Sequence, residues 1–280
     1  MKIRFIVDSA SDLSGKEHEA LTVLPLTVTF GDTQYLDGVT LSAKEFYEKL
    51  IESDELPTTS QVVPYDFENA IREALAAGET PIVVTVTSKL SGTYNSARLA
   101  AMEFDEKVYL VDSENVCVGE QILVKYGLRL LDEGKTAEEI VEAMEVAKKK
   151  IRVVALLDTL EYLRKGGRIS NVAGFVGGML SIRPVIGIVD GLVEVLGKAR
   201  GSKAANNLLA QQIEEAGGID YDMPYELAYS GLDDSLLRKY INDNEHVWRG
   251  HADELNYGIV GSTIGTHAGP GAVAVAFFSI

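Results

Sequence analysis

The sequence is short of the features that staple small secreted domains or carry metals. Its single cysteine, Cys117, cannot form an internal disulfide, and no Cys/His cluster has zinc-ligand spacing. Proline occupies only 7 of 280 positions while 46% of residues are hydrophobic, which excludes a disordered chain. No apolar run approaches the roughly 18–20 residues of a membrane span, and no secretory h-region follows Met1. The expectation is a soluble, cytoplasmic globular protein. Basic residues are also scarce: 26 Lys+Arg stand against 42 Asp+Glu, a net charge of −16. That excludes a nucleic-acid binder, which needs clustered cations to neutralise phosphates, and disfavours a broad anionic-membrane surface.

The charge that is present is unevenly placed. Residues 1–150 carry 15 basic and 27 acidic side chains, and residues 204–280 carry 3 and 11. Residues 151–203 reverse the balance, with 8 basic and 4 acidic. A basic island in an acidic chain is either solvated surface or a docking site for an acidic partner or a phosphorylated product.

Strand-like apolar runs alternate with helical patterns. Ile3 to Val7 ends in Asp8-Ser9, residues 21–30 form a second run, and residues 81–86 and 108–111 two more. Ser42 with Glu45 spells a capping box, and helices are expected over 65–77, from Tyr94, and over 116–133 and 136–150. Beyond residue 152 the pattern changes. A strand at 153–157, a short helix from Leu160 and a hairpin over 185–197 turning at Asp190-Gly191 are expected. Helices at 203–216 and 233–245 and strands at 227–229, 259–260 and 272–278 complete the chain. The reading is a two-domain α/β protein. Residues 1–152 form a Rossmann-like domain with a mostly parallel sheet. Residues 153–280 form an α/β sandwich with a mixed sheet.

Ligands in open α/β sheets bind beyond the carboxyl ends of strands. Four such ends here carry small hydroxyl residues: 8–12, 58–61, 87–94 and 112–113. In the third, a Ser91-Gly92-Thr93 turn opens a helix, whose unpaired N–H groups suit an anion; the same residues can also simply cap that helix. His267 lies in Gly265-Thr266-His267-Ala268-Gly269-Pro270-Gly271, which reads as a tight loop presenting an imidazole as hydrogen-bond donor or base. The interleaved Gly174, Phe175, Val176, Gly177, Gly178, Met179 and Leu180 suit core packing or the lining of a narrow apolar cavity.

Enzyme motifs mostly fail. There is no Gly-x-Ser-x-Gly elbow, and Arg129 stands where a P-loop ending at Gly134-Lys135-Thr136 needs its first glycine. A Ser91, His267, Asp8 triad is a geometric question, so a Ser/His hydrolase remains the alternative reading.

Read together and in order, these stretches resemble the DegV family over essentially the whole chain. The matching segments are Ile6-Val7-Asp8-Ser9-Ala10-Ser11-Asp12-Leu13, Thr58-Thr59-Ser60-Gln61, Ser88-Lys89-Leu90-Ser91-Gly92-Thr93-Tyr94-Asn95-Ser96-Ala97 and Val111-Asp112-Ser113. Two further segments run from Leu160 through Arg164-Lys165-Gly166-Gly167-Arg168 to Ser170, and from Leu180 to Ile186. The resemblance implies a fatty-acid-binding protein, not itself an enzyme, that buries a long-chain acid such as palmitate, stearate or oleate in a tunnel between its two domains and presents it to a separate fatty acid kinase. It implies no cofactor and no metal, and leaves room for transient membrane contact. By the same resemblance Thr59, Ser91 and His267 hold the carboxylate, with Ser60, Gly92 and Thr93 adjoining. Phe175, Val176, Met179 and Leu180 would line the acyl tunnel, and Arg168, Arg200 and Lys203 would meet the kinase. One departure is visible: the family often has Lys where this chain has Arg183, a change of hydrogen-bond geometry more than of charge.

Overall fold

The computed structural model describes residues 2–169, 182–248, 250–251 and 255–280. The first half holds β1 (Lys2–Asp8), β2 (Leu21–Leu24), β3 (Thr27–Phe30), β4 (Thr33–Leu36), α1 (Ala43–Glu52), β5 (Thr58–Ser60) and α2 (Pro64–Ala76). It continues with β6 (Glu79–Thr85), α3 (Thr93–Ala101), β7 (Tyr109–Asp112), α4 (Val118–Asp132) and α5 (Ala137–Ala147). The second half holds β8 (Ile151–Leu156), α6 (Glu161–Lys165), β9 (Ile182–Val189), β10 (Leu192–Arg200), α7 (Ser202–Glu215) and β11 (Glu226–Tyr229). Then follow α8 (Ser235–Asp243), α9 (Glu245–Trp248), β12 (Tyr257–Ile259), α10 (Ser262–Ala268) and β13 (Val273–Phe278).

A strand covered on both faces reads as a continuous apolar run, and β1 and β6 do so because they are central. They sit in a four-stranded parallel sheet of order β2-β1-β6-β7. Alternation along each strand divides its side chains between two layers. Phe5, Val7, Ile82 and Val84 pack against Ile122, Leu128 and Ile140 of α4 and α5. Ile6 and Val83 pack against Phe67, Ile71 and Ala97 of α2 and α3.

The second half forms a six-stranded mixed sheet of order β10-β9-β8-β13-β11-β12, antiparallel except for the parallel β11–β12 pair. Its alternation is as clear. Val154, Leu156, Val273, Val275 and Phe277 face α7 and α8, while Val153, Ala155, Ala274 and Ala276 face the first half of the chain. Helix α4 lies between the two sheets and is buried along most of its length. The two-domain α/β reading, parallel first and mixed second, is what the structure has. Among the described residues no helix is long and apolar enough to cross a membrane.

Three expectations change. The run over 21–30 is two strands: the chain breaks at Pro25, and β3 pairs in a separate three-stranded antiparallel sheet, β4-β3-β5, rather than beside β1. A proline removes a ladder donor, so the parting of sheets falls there. Strands β4 and β5 were not expected, being only four and three residues long with little apolar alternation. His267 does not sit in a loop; it occupies the last turn of α10. The hairpin turns where expected, with Asp190 and Gly191 both at positive φ, 47° and 77°.

Candidate functional site

The described residues leave a space between the two sheets. A cavity of about 410 Å³ runs there, in the range of small-molecule sites. It is apolar because of which face each strand turns to it: Val153, Ala155 and Leu157 from β8 and its exit, Ile186 and Ile188 from β9, and Ala272 and Ala274 at β13. In the sequence Ala272-Val273-Ala274-Val275-Ala276, valines pack against α7 and α8. Alanines take the alternate positions toward the cavity side, and their small volume is what leaves it open. Cys117 and Val118, at the start of α4, close the opposite wall.

The polar side chains of the cavity gather in one cluster. Thr59, central in β5 opposite Val28, brings Oγ1 within 2.9 Å of His267 Nε2. Ser91 stands in the turn between β6 and α3; its Oγ accepts from Thr93 N at 3.2 Å and lies 2.9 Å from Thr93 Oγ1. The N-cap of α3 is Gly92, which has no side chain to cap with; Ser91, one residue earlier, takes the N–H of the first helical residue and lines the cavity. Ser60, Gln61 and Gly92 line the same end. Gln61 donates from Nε2 to Ser96 Oγ at 2.7 Å, and its Oε1 lies where a Cβ on Gly92 would be, so a side chain at residue 92 would have to displace the Gln61 amide. Thr59, Ser60, Ser91, Gly92 and His267 are thus brought together around one end of the cavity. Thr93 is fully buried behind Ser91.

The histidine is neutral at physiological pH. Burial, and secondarily the nearby Arg168 cation, push its pKa down to about 4. Its Nδ1 is buried without a hydrogen-bond partner among the described residues, an atom that a bound polar group or water would satisfy.

The triad geometry is not assembled. His267 Nε2 pairs with Thr59 and Ser91 Oγ with Thr93. The Asp8 carboxylate is instead held by Ala10 N at 3.0 Å and Val86 N at 2.8 Å. The other two hydroxyl-rich strand ends do structural work. Ser9 donates to Asp37 at 2.9 Å, and Asp112 accepts from Ser88 N and Glu114 N. Among the described residues no group of three or more His, Cys, Asp or Glu is placed to hold a metal.

The three cations expected to meet the kinase differ in exposure. Arg200 and Lys203 are exposed at the β10–α7 junction. Arg168 is half-buried and lines the cavity. Arg183 pairs with Asp158 at 3.2 Å. Phe175, Val176, Met179 and Leu180 lie outside the described residues. Sequence reading missed Gln61 and the cavity position of Arg168. It also missed Asp12 and Asp37, whose carboxylates hold the start of α10. Asp12 and Gln61 stand inside segments already singled out for their hydroxyls; what local sequence does not give is the distant partner, the start of α10 for Asp12 and Asp37, Ser96 for Gln61 and Leu90 for Arg168.

With this geometry in place, comparison with known proteins is informative. The model of the DegV family matches residues 2–279. A DegV domain-containing protein of Caldanaerobacter subterraneus subsp. tengcongensis is 33% identical over 281 residues, covering 99% of this chain and 98% of its own. The structure of a DegV family protein from Thermus thermophilus, described as fatty acid binding, superposes with a TM-score of 0.89 at 30% identity, covering 100% of both chains. The Fatty Acid Kinase (Fak) B3 protein of Streptococcus pneumoniae, loaded with linoleic acid, has the same fold. Its TM-score is 0.85 at 24% identity, again over 100% of both chains.

Proposed function

The chain belongs to the DegV family, and from that premise we propose that it binds one long-chain fatty acid between its two domains and presents it to a fatty acid kinase. The observation that carries this reading is the cavity itself: an apolar wall of β8, β9 and β13, with hydroxyl groups and an imidazole at one end. Thr59, Ser91 and His267 hold the carboxylate, and Ser60, Gly92 and Thr93 shape the turn around it. A buried carboxylate requires donors, and a neutral imidazole with a free Nδ1 and two hydroxyls can offer them. Each methylene buried along the alanine-lined wall adds about 0.8 kcal/mol, so affinity comes mainly from the tail. The Thermus thermophilus relative is described as binding a fatty acid, and this chain covers all of it.

In this reading the protein is a carrier and not a catalyst. The domains divide near residues 152 and 153, the work is done in the cytoplasm, and no cofactor takes part. Exposed Arg200 and Lys203 form the kinase-facing surface. Native mass spectrometry of the purified protein tests the central claim. A retained mass of a fatty acid is expected, and a protein that stays unliganded after incubation with palmitate, stearate and oleate refutes it. For the kinase step, Arg200→Glu combined with Lys203→Glu is expected to cut phosphorylation at least tenfold while the acid stays bound. Equal loss of both would remove the docking role.

A further inference from the structure

Two buried side-chain atoms of the cavity lining have no hydrogen-bond partner among the described residues, His267 Nδ1 and Thr263 Oγ1. The histidine belongs to the polar cluster already described. Thr263 does not. It stands four residues earlier on α10, so the two residues share one face of the helix, about 6 Å apart along its axis. The lack of a partner has a local cause. Thr266 turns its hydroxyl back to Ser262 O at 2.9 Å, the usual outlet for a helical threonine. Thr263 is in the first turn, and the residue four before it, Ile259, belongs to β12, so that outlet is closed. The nearby Asp37 carboxylate is already taken. It accepts from Ser9 Oγ at 2.9 Å, from Ser262 N and Oγ, and from Thr263 N at 3.3 Å. Cys117, which also lines the cavity, already donates its thiol to Asp12 at 3.0 Å. The other cavity-lining residues of this segment, Val260, Ile264 and Ala268, are apolar. A plain alkyl chain passing this point leaves the Thr263 hydroxyl unpaired, which is costly in a desolvated site, whereas a hydroxyl on the chain satisfies it.

We propose that Thr263 is a second polar contact for the ligand, one helical turn from the carboxylate cluster, and that the preferred ligand is a fatty acid of the 3-hydroxy class. This rests on the fatty-acid reading above and narrows its substrate class. Hydrogen bonds of about 2.8 Å at either end span most of the distance between Thr263 and His267. The two polar groups of the ligand must therefore be near neighbours on the chain, as a carboxyl and a 3-hydroxyl are.

The test measures, by isothermal titration, the affinity of delipidated protein for palmitate, for each enantiomer of 3-hydroxypalmitate and for 16-hydroxypalmitate. Wild type is expected to hold the better-bound 3-hydroxy enantiomer at least about fivefold tighter than palmitate, the scale set by a buried hydroxyl left unpaired. The acid with its hydroxyl at the far end should gain nothing over palmitate. Thr263→Val keeps the shape and removes the hydroxyl. It should tighten palmitate, weaken 3-hydroxypalmitate and so lower their affinity ratio at least about fivefold; a merely damaged cavity would weaken both. Thr263→Ser keeps the hydroxyl and should keep the preference. Should Thr263→Val fail to fold, the wild-type ratio, the 16-hydroxy control and the Ser variant decide the matter. A wild-type ratio near one, an unchanged ratio in Thr263→Val, a lost preference in Thr263→Ser or an equal gain for 16-hydroxypalmitate overturns the assignment while palmitate binding, and the fatty-acid reading, stand. A wild type that binds none of these acids overturns both.

Discussion

Thr59 and His267 meet at 2.9 Å although 208 residues separate them in the chain. Their chemistry is matched: both are neutral at pH 7 and able to donate or accept, so their arrangement can adapt when a ligand enters. Removing either the Ser91 hydroxyl or the imidazole leaves a carboxylate short of one donor in a desolvated site. Ser91→Ala and His267→Ala should each weaken palmitate binding by roughly tenfold or more, the usual loss for a hydrogen bond to a charged group. Isothermal titration of delipidated protein reads this directly, and unchanged affinity in both variants would remove these residues from the site. The residue types were legible in the sequence, because small hydroxyls at strand ends and a histidine among glycines are unusual. Their convergence was not, since it depends on elements that local sequence does not announce.

Helix α10 is the clearest such element. Its sequence, Ser262-Thr263-Ile264-Gly265-Thr266-His267-Ala268, reads as a loop because glycine and threonine are weak helix formers. The helix exists because tertiary contacts satisfy it from outside. Asp12 accepts from Gly261 N at 2.9 Å, and Asp37 accepts from Ser262 N at 3.0 Å, Ser262 Oγ at 2.5 Å and Thr263 N at 3.3 Å. Donors that a short helix would leave orphaned are thus paired with carboxylates from the first half of the chain. Gly265 lets the helix seat on α1, where a Cβ would lie 2.6 Å from the Phe46 ring and 2.7 Å from the Tyr47 hydroxyl. Gly265→Ala should therefore cost about 1–3 kcal/mol, the range for overpacking a fitted core. Urea denaturation measures it, and an unchanged midpoint would show that α10 is not so closely seated. The strands and long helices were legible because period-2 and period-3.6 patterns cover most of their length. Strand β13 shows how far that legibility goes: its alternation of alanine and valine was visible, but only the packed sheet reveals that alanine marks the cavity side. Ala274→Leu should fill part of the cavity and shift the retained acids toward shorter chains. Native mass spectra with an unchanged chain-length distribution would place the acyl tail elsewhere.

At the scale of the whole molecule, the two sheets are joined by buried groups rather than by a linker. Asp8 is buried and Asp12 half-buried at the seam, with Asp12 reaching across to Gly261 and also accepting from Cys117 Sγ at 3.0 Å. The net charge of −16 makes it natural to picture acidic groups as solvated surface, yet these two carboxyls are turned into the protein. Burial is the leading cause that raises Asp8 to a pKa of about 7 and Asp12 to about 8, partly offset by two N–H donors to Asp8 and by the Cys117 S–H and Gly261 N–H to Asp12. In the unfolded chain the same carboxyls titrate near about 3.9. Between those values the native state binds more protons than the unfolded state, so their contribution to stability is full below pH 4 and is lost as pH rises toward 8. His267 has the opposite sign: with its pKa lowered to about 4, it contributes stability above its unfolded value near 6.5 and loses it as pH falls through 4. The two effects oppose each other between pH 4 and 6.5. Above 6.5 the histidine is neutral in both states, and the buried Glu120 carboxyl, likewise raised by burial, adds to the slope of the two aspartates. The ligand-free protein is therefore expected to become easier to unfold from pH 6.5 to 8.5. Asp12→Asn, which keeps a carbonyl oxygen for Gly261 N but cannot ionise, should flatten that decline. Urea midpoints measured across this window for wild type and Asp12→Asn decide it; a wild-type midpoint that holds steady or rises, or a variant with the same slope, would mean that the carboxyls at the seam do not carry their protons into the neutral range.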